Sequence, residues 1–442
     1  MKFVVVLLLF VCAGQARCAD TMLVLAHATV IDGTGAPPKM NTTIVIEGNR
    51  ISAVYPDGRR SVPKTARTED LHGYFVIPGL IDAHVHLTGA EADIAHYRML
   101  LNALVRGGVT AVRDMAGDDR LIAFLARQAN TDAYTSPDIF YVALLSGPTF
   151  FAEDPRAQEA SIGMPLGFAP WMQAIGANTD IPLAIAQARG TGATGVKLYA
   201  NLPAAMVKAL AAEAHRQGLE VWTHATIFPA RPIDAVEAGA DTISHSPYLV
   251  WQGAAHVPAD YRMRAHGDFA HVRPDSAPIL ALFEAMKQHG TILDATLEVF
   301  REEAAKQPDS VGAGIMPWSY AVTELAHRHG IAVDAGTDSA GFPTSDDAPD
   351  LKALPSVHEE MQLLVKHCGF SPLEAIQAAT QIGAMALGQG ADRGTITRGK
   401  RADLVVLSAD PSANIANTAK IAFVIKNGRR IGETRKASAS GS

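Results

Sequence analysis

The apolar positions of this chain follow two rhythms. From Thr21 to about Gly73, and again near the end, runs such as TMLVLAHATVIDGTG, NTTIVIEGNRISAVYP, ADLVVLSAD and KIAFVIKNGRRIG read as short β-strands punctuated by Gly, Pro and Asn. In the middle, apolar runs alternate with helical spacing. FVIPGLIDAHVH, VTAVRDM, IFYVALLS, TGVKLYA, LEVWTHA, DTISHS, GTILDATL and IAVDAGTDS read as parallel strands. YRMLLNALVRGG, PAAMVKALAAEAHRQG, PIDAVEAGA and APILALFEAMKQHG read as helices, often closed by glycine. Eight such strands with intervening helices predict an α/β fold, a (β/α)8 TIM barrel, which takes about 250 residues before insertions. The β-rich ends predict one small β-sandwich domain formed by both termini. A doubly wound open sheet competes, but it needs an early Gly-rich phosphate turn; GTGAT precedes the strand of Lys197 rather than following one.

The expected divisions are 21–73 and 391–434 for the two parts of the small domain, 74–390 for the barrel, and a loose tail at 435–442. Three long insertions, about 145–180, 246–276 and 297–318, each follow an expected strand. Loops after barrel strands surround the mouth, so these are where a substrate would be recognised.

The first residues change the picture of where the chain works. Lys2, an apolar run from Phe3 to Cys12 and then small residues read as a signal peptide over 1–18, cut after Ala16 or Cys18. This predicts export, to the periplasm or outside the cell. The run is too short to anchor in a bilayer, and no later segment offers a membrane span. The formal charge is −7; a cut after Cys18 removes Lys2 and Arg17 and no acid, so −7 becomes −9. A modestly acidic chain is a poor nucleic-acid binder. With Cys368 and at most Cys18 left, neither a disulfide framework nor a cysteine zinc site is expected.

Candidate chemistry sits at the strand ends. Residues two apart on a strand share a face, so His84 and His86 project together. Lys197, His224, His245 and Asp338 follow at or near the ends of later strands. In a barrel these ends converge, placing four imidazoles, an amine and a carboxylate in one small space. Singly, each has an ordinary reading: a hydrogen-bonded strand-end histidine, a snorkelling lysine, an aspartate capping a turn. The joint order on successive strands is what chance seldom produces. His215, His327 and His329 lie on helical patterns and read as surface or packing residues.

At this point the chain resembles the amidohydrolase superfamily of metal-dependent hydrolases. PGLIDAHVH resembles its first-strand motif and GKRADLVVL its C-terminal sheet segment. The resemblance covers nearly the whole mature chain and implies the same barrel with a sandwich from both termini. It implies His84 and His86 as ligands of a first divalent metal, His224 and His245 of a second, and Lys197 as a bridging lysine carboxylated by CO2. Asp338 is implied as ligand and proton carrier. Zinc suits these ligands best, although manganese and cobalt share them. Single-metal branches, imidazolonepropionase-like and deaminase-like, lack the carboxylated lysine. The implied reaction is attack on an amide by a hydroxide held between the two metals, Asp338 passing the proton to the leaving amine.

Within the superfamily the chain is most similar to exported prolidase-like and Xaa-amino-acid dipeptidases, a branch that includes ochratoxin-degrading amidohydrolases. Cleavage of an amide or peptide bond with an amino-acid leaving group is therefore implied, in a dipeptidase, carboxypeptidase or N-acyl amino acid hydrolase. Holding a carboxylate calls for a cation or hydroxyl cluster. The second insertion offers Tyr248, Arg262, Arg264, His271 and Arg273, each of which also reads as part of a solvated loop. Tyr199 shares the face of Lys197 and is an oxyanion or substrate contact candidate. Phe150, Phe151 and Trp171 could line an apolar pocket or form the first insertion's own small core. A lactonase, phosphotriesterase, cyclic amidase or deaminase of the same superfamily, and a non-catalytic exported metal-binding protein, are the alternatives. Homo-oligomers are common among such enzymes, but no interface is legible.

Overall fold

In the helix Ala204–Arg216 the residues that recur at helical spacing, Val207, Leu210, Ala211 and Ala214, are the ones it buries. The same logic sets helices Ile94–Arg106 and Asp119–Asn130 against barrel strands. The computed structural model describes residues 22–61, 63–88, 93–131, 134–306, 314–345 and 348–431. The expected leader at 1–18 and the expected tail at 435–442 lie outside them. Among the described residues no helix is long and apolar enough to cross a membrane.

The barrel strands are Leu80–Val85, Val109–Asp114, Asp138–Ser146, Gly195–Leu198, Glu220–His224, Thr242–Ser244, Ile292–Asp294 and Val333–Asp334. Each pairs in parallel with the next. The chain beyond the eighth strand closes on the first. The Asp338 amide donates to the His84 carbonyl, and the His86 amide to the Ser339 carbonyl, both at 2.8 Å. The expected alternation of eight strands and helices is what forms.

Strands Leu23–Val30, Lys39–Glu47, Arg50–Pro56, Arg67–Asp70 and Phe75–Pro78 share one sheet with Leu404–Leu407, Ile421–Lys426 and Arg429–Arg430. The sheet curls over a core that includes Leu25, Ile44, Ile51, Val406 and Ile425. Its far strand meets the C-terminal segment: the Ile51 amide donates to the Lys400 carbonyl at 2.9 Å. Both ends of the chain therefore build one unit.

The run FVIPGLIDAHVH, expected as a single strand, is broken. Phe75–Pro78 pairs within the terminal sheet and Leu80–Val85 within the barrel. Gly79 is the pivot. A Cβ there would lie 2.2 Å from Thr110 Oγ1, so only glycine lets the two units approach. Asp138, at the start of the third barrel strand, ties the units together. Its buried carboxylate receives Arg393 at 2.7 Å, Lys426 at 3.1 Å and Arg401 at 3.3 Å.

The three expected insertions carry structure of their own. The first holds helices Pro148–Glu153 and Arg156–Glu159 and the strands Phe168–Ala169 and Met172–Ala174. Met172–Ala174 extends the sheet beside the third barrel strand. The second is built of short 3-10 and α turns, including Tyr261–His266. The third is mostly helical among its described residues, with Leu297–Lys306 and the start of Ile315–Arg328. The first of these helices begins where buried Glu360 accepts the amides of Leu297 at 3.0 Å and Glu298 at 2.7 Å, a side-chain cap supplied from another helix.

Candidate metal centre and substrate cavity

The six strand-end residues meet. His84 is fully buried, and its Nε2 lies 3.0 Å from Asp338 Oδ1 and 3.2 Å from Lys197 Nζ. His86 Nε2 lies 3.0 Å from the same Asp338 oxygen. His245 Nδ1 is 3.8 Å from Asp338 Oδ2. The His224 ring stands edge-on to that of His245, with centroids 4.6 Å apart. Two of the residues depart from ordinary backbone: His245 has φ +78° and Asp338 φ +56°. Left-handed backbone at non-glycine residues is strained and persists where surrounding bonds enforce it. Here the His84 carbonyl holds the Asp338 amide, and the Asp294 carbonyl holds the His245 amide, each at 2.8 Å.

Burial sets the protonation of these groups. It pulls His86 below its usual value, His224 well below, and His245 down to about 3. Three imidazoles are therefore neutral, with lone pairs to offer. For His84, burial and Lys197 pull downward, but the carboxylates of Asp338 and Asp294 outweigh them and raise it. Burial also pushes Lys197 down to about 8, partly resisted by Asp338 and Asp294. Asp338 is held well below the carboxylate range; burial opposes this, and the facing histidines outweigh it.

This donor set fits a divalent cation. One ligand atom each from His84, His245 and Asp338 lies within 4.8 Å of the others. His224 Nδ1 is buried with no hydrogen-bond partner among the described residues, which is costly unless a ligand satisfies it. Neutral imidazole with carboxylate, and no thiolate, is the chemistry of zinc and its neighbours.

A cavity of about 340 Å³ opens over His86, Lys197, His224, His245 and Asp338. Tyr199 and Phe150 both line it, Phe150 taking the pocket position rather than joining the insertion's own core. The Tyr199 ring is 4.0 Å from the His224 ring, centroid to centroid. Tyr248 lies just behind, buried, with its ring 5.6 Å from His224 and 5.4 Å from His245. Arg264 stacks over Tyr261 at 4.9 Å, with no hydrogen-bond or ion-pair partner for its guanidinium among the described residues.

Other candidates are not brought to the cavity. Arg262 is turned outward to Asp260 at 2.6 Å and Glu153 at 3.4 Å. His271 and Arg273 lie on the surface, paired with Asp268 and Asp275. Phe151 and Trp171 pack inside the first insertion, where Trp171 Nε1 donates to the Ala160 carbonyl at 2.8 Å. These polar groups find partners two or three residues away, and the aromatics find an apolar interior closer than the cavity.

The structure adds residues that the sequence reading passed over. Asp294, at the end of the seventh strand, accepts His84 Nδ1–H at 2.6 Å. Its placement in ILDAT, at a strand end like the others, was the available signal. Arg156 and Glu303 line the cavity from the first and third insertions. Asp154 and Tyr261 stand behind Arg156. Nothing local in the sequence distinguishes these from surface groups.

Comparison with known proteins agrees with this geometry. The amidohydrolase family model matches residues 75–431. An imidazolonepropionase of Streptomyces griseus is 28% identical over 419 residues, covering 90% of this chain and 95% of that protein. A Xaa-Pro dipeptidase solved with bound methionine superposes with a TM-score of 0.72 at 20% identity, covering 93% of this chain and 99% of the other. The A. niger ochratoxinase superposes with a TM-score of 0.71 at 20% identity, covering 93% and 95%. The chain belongs to the amidohydrolase family. It is a metal-dependent hydrolase of C–N bonds.

Proposed function

We propose that this protein is a binuclear amidohydrolase cleaving an amide or peptide bond whose leaving group is an amino acid. The observation that carries the two-metal reading is Lys197. It is 1% exposed, forms no ion pair among the described residues, and sits against His84 Nε2 in the centre of the histidines. A permanent ammonium there is unfavourable. A neutral amine that takes up CO2 and releases a proton becomes a carbamate, an anion able to serve as a ligand to two cations.

In this reading His84 and His86 would hold one ion, His224 and His245 the other, and carboxylated Lys197 would serve both. Two such ions, zinc by preference, supply Lewis acidity at the scissile carbonyl and make water acidic near neutral pH. Asp338 is 21% exposed at the cavity wall, where its carboxylate takes a proton from the attacking water and returns it to the leaving nitrogen. Met115, Leu144, Phe150 and Met172 form an apolar wall that excludes water and packs on an apolar part of the substrate. The structural likeness to a Xaa-Pro dipeptidase and an ochratoxinase favours amides of this class.

A second reading follows from the likeness to an imidazolonepropionase: opening of a cyclic amide, with no amino acid released. One experiment separates them. Metal content is measured, and N-acyl amino acids, dipeptides and cyclic amides are assayed with and without chelator. The proposal expects two metal ions per chain and chelator-sensitive release of a free amino acid. Ring opening alone, ammonia release, or no turnover overturns it.

A further inference from the structure

Arg156 is the only arginine lining the cavity, and Lys197 is the only other cation among the described residues there. It lies in the first insertion, yet it is fixed more firmly than a loop arginine usually is. Its Nε donates to Asp154 Oδ1 at 3.0 Å and its Nη2 to Asp154 Oδ2 at 2.6 Å. Asp154 is itself buried and accepts the Tyr261 hydroxyl from the second insertion. The Tyr261 amide in turn donates to Asn201 Oδ1 at 3.0 Å, just past the fourth barrel strand. Two insertions are thus locked together around one guanidinium.

One nitrogen of Arg156 is left over. Nη2 also donates to the Tyr199 hydroxyl at 3.2 Å, and Nη1 has no partner among the described residues. Because Tyr199 Oη accepts from Arg156, its own proton is free to be donated. Arg156 Nη1 and Tyr199 O–H are therefore two donors of one cradle. Tyr199 packs on His224, so the cradle begins one side chain away from the metal centre. In the proposed reaction, an anion held there would be the carboxylate of the amino-acid leaving group.

We propose that Arg156 and Tyr199 are the receptor for the α-carboxylate of the leaving amino acid, with Asp154 and Tyr261 as positioning residues. The substrates are then N-acyl amino acids and dipeptides with a free carboxylate next to the scissile bond, and their C-terminal amides are poorer substrates. This inference rests on the amide-cleaving reading above. Pre-organisation is the gain: Asp154 already orders the guanidinium before substrate arrives, so little side-chain entropy is lost on binding.

The test compares N-acetyl-L-phenylalanine with N-acetyl-L-phenylalaninamide on the metal-loaded enzyme, and follows binding of the product L-phenylalanine by calorimetry. In the wild type the acid is the better substrate. Arg156→Met lowers kcat/KM for the acid by about 100-fold, the scale of a lost charge-assisted pair, a far larger loss than for the amide, and weakens L-phenylalanine binding with metal content intact. Arg156→Lys restores part of the loss. Tyr261→Phe and Asp154→Asn raise KM for the acid while kcat holds.

Equal losses for acid and amide, or L-phenylalanine binding indifferent to Arg156→Met, overturn the receptor. A wild type that hydrolyses neither compound overturns the proposed reaction instead. In that case, Arg156-dependent binding of L-phenylalanine still supports the cradle, and absence of binding overturns it.

Discussion

Asp294 accepts a hydrogen bond from His84 Nδ1 at 2.6 Å, with both side chains fully buried. The bond fixes the imidazole's tautomer and turns its Nε2 toward Asp338 and Lys197. A carboxylate behind a ligating histidine raises its basicity and holds its ring in place. Asp294→Asn should weaken metal affinity by about 10–100-fold. Competition with a chelating dye measures it, and unchanged affinity would remove Asp294 from the site.

Lys197→Ala should leave a protein that retains one metal ion per chain and loses most turnover. If a carbamate is the missing group, a short carboxylic acid added at high concentration restores part of the second metal and of the activity. Native mass spectrometry of the wild type should show one added CO2. A full metal complement in Lys197→Ala would contradict the bridging role.

Asp338→Asn keeps the histidines and should keep metal bound. Without a proton carrier at the cavity wall, kcat falls at least about 100-fold. Metal analysis beside single-turnover rates checks both halves of this expectation, and undiminished turnover rejects the assignment.

Phe150 and Phe151 are neighbours with opposite roles. Phe150 faces the cavity, so Phe150→Ala should raise KM for substrates with aromatic groups and spare small ones. Phe151 is buried within the insertion, away from the centre, so Phe151→Ala should lower stability by about 3–5 kcal/mol. Substrate kinetics and denaturant unfolding on the two variants distinguish them.

Asp138 joins the barrel to the terminal sheet, and its ionisation makes that joint sensitive to acid. Burial alone would raise its pKa, but Lys426, Arg393 and Arg401 outweigh it and lower it from 3.8 to about 2. Because the folded value is depressed, the stabilisation is present above about pH 4 and is lost as pH falls toward about 2. Asp138→Asn leaves three cations around a neutral group and should cost about 3–5 kcal/mol near neutral pH. Unfolding curves across this range should show the gap between wild type and variant closing in acid.

Much of the centre was legible because strand geometry leaves little freedom. A histidine, lysine or aspartate at the end of a short apolar run has one place to go once the barrel closes, and His84, His86, Lys197, His224, His245 and Asp338 all go there. Gly79 was less legible. The apolar run through it is continuous, and only the close approach of Thr110 shows why the strand must break. The loops were least legible of all. Asp154-x-Arg156 and Asp260-x-Arg262 are the same local pattern, and both form the same side-chain pair. One reaches the cavity because Tyr199 and Tyr261 wait on either side of it, and the other faces solvent. That difference is made by Tyr199, 43 positions from Arg156, and Tyr261, 107 positions from Asp154, beyond any local reading.

The seam between the first and last barrel strands has a consequence for how the enzyme is made. The same amide that stitches the cylinder shut belongs to Asp338, and the carbonyl it reaches belongs to His84. No partly assembled chain can present the complete set of ligands. On the two-metal proposal, full metal uptake during refolding would therefore report the final event of assembly.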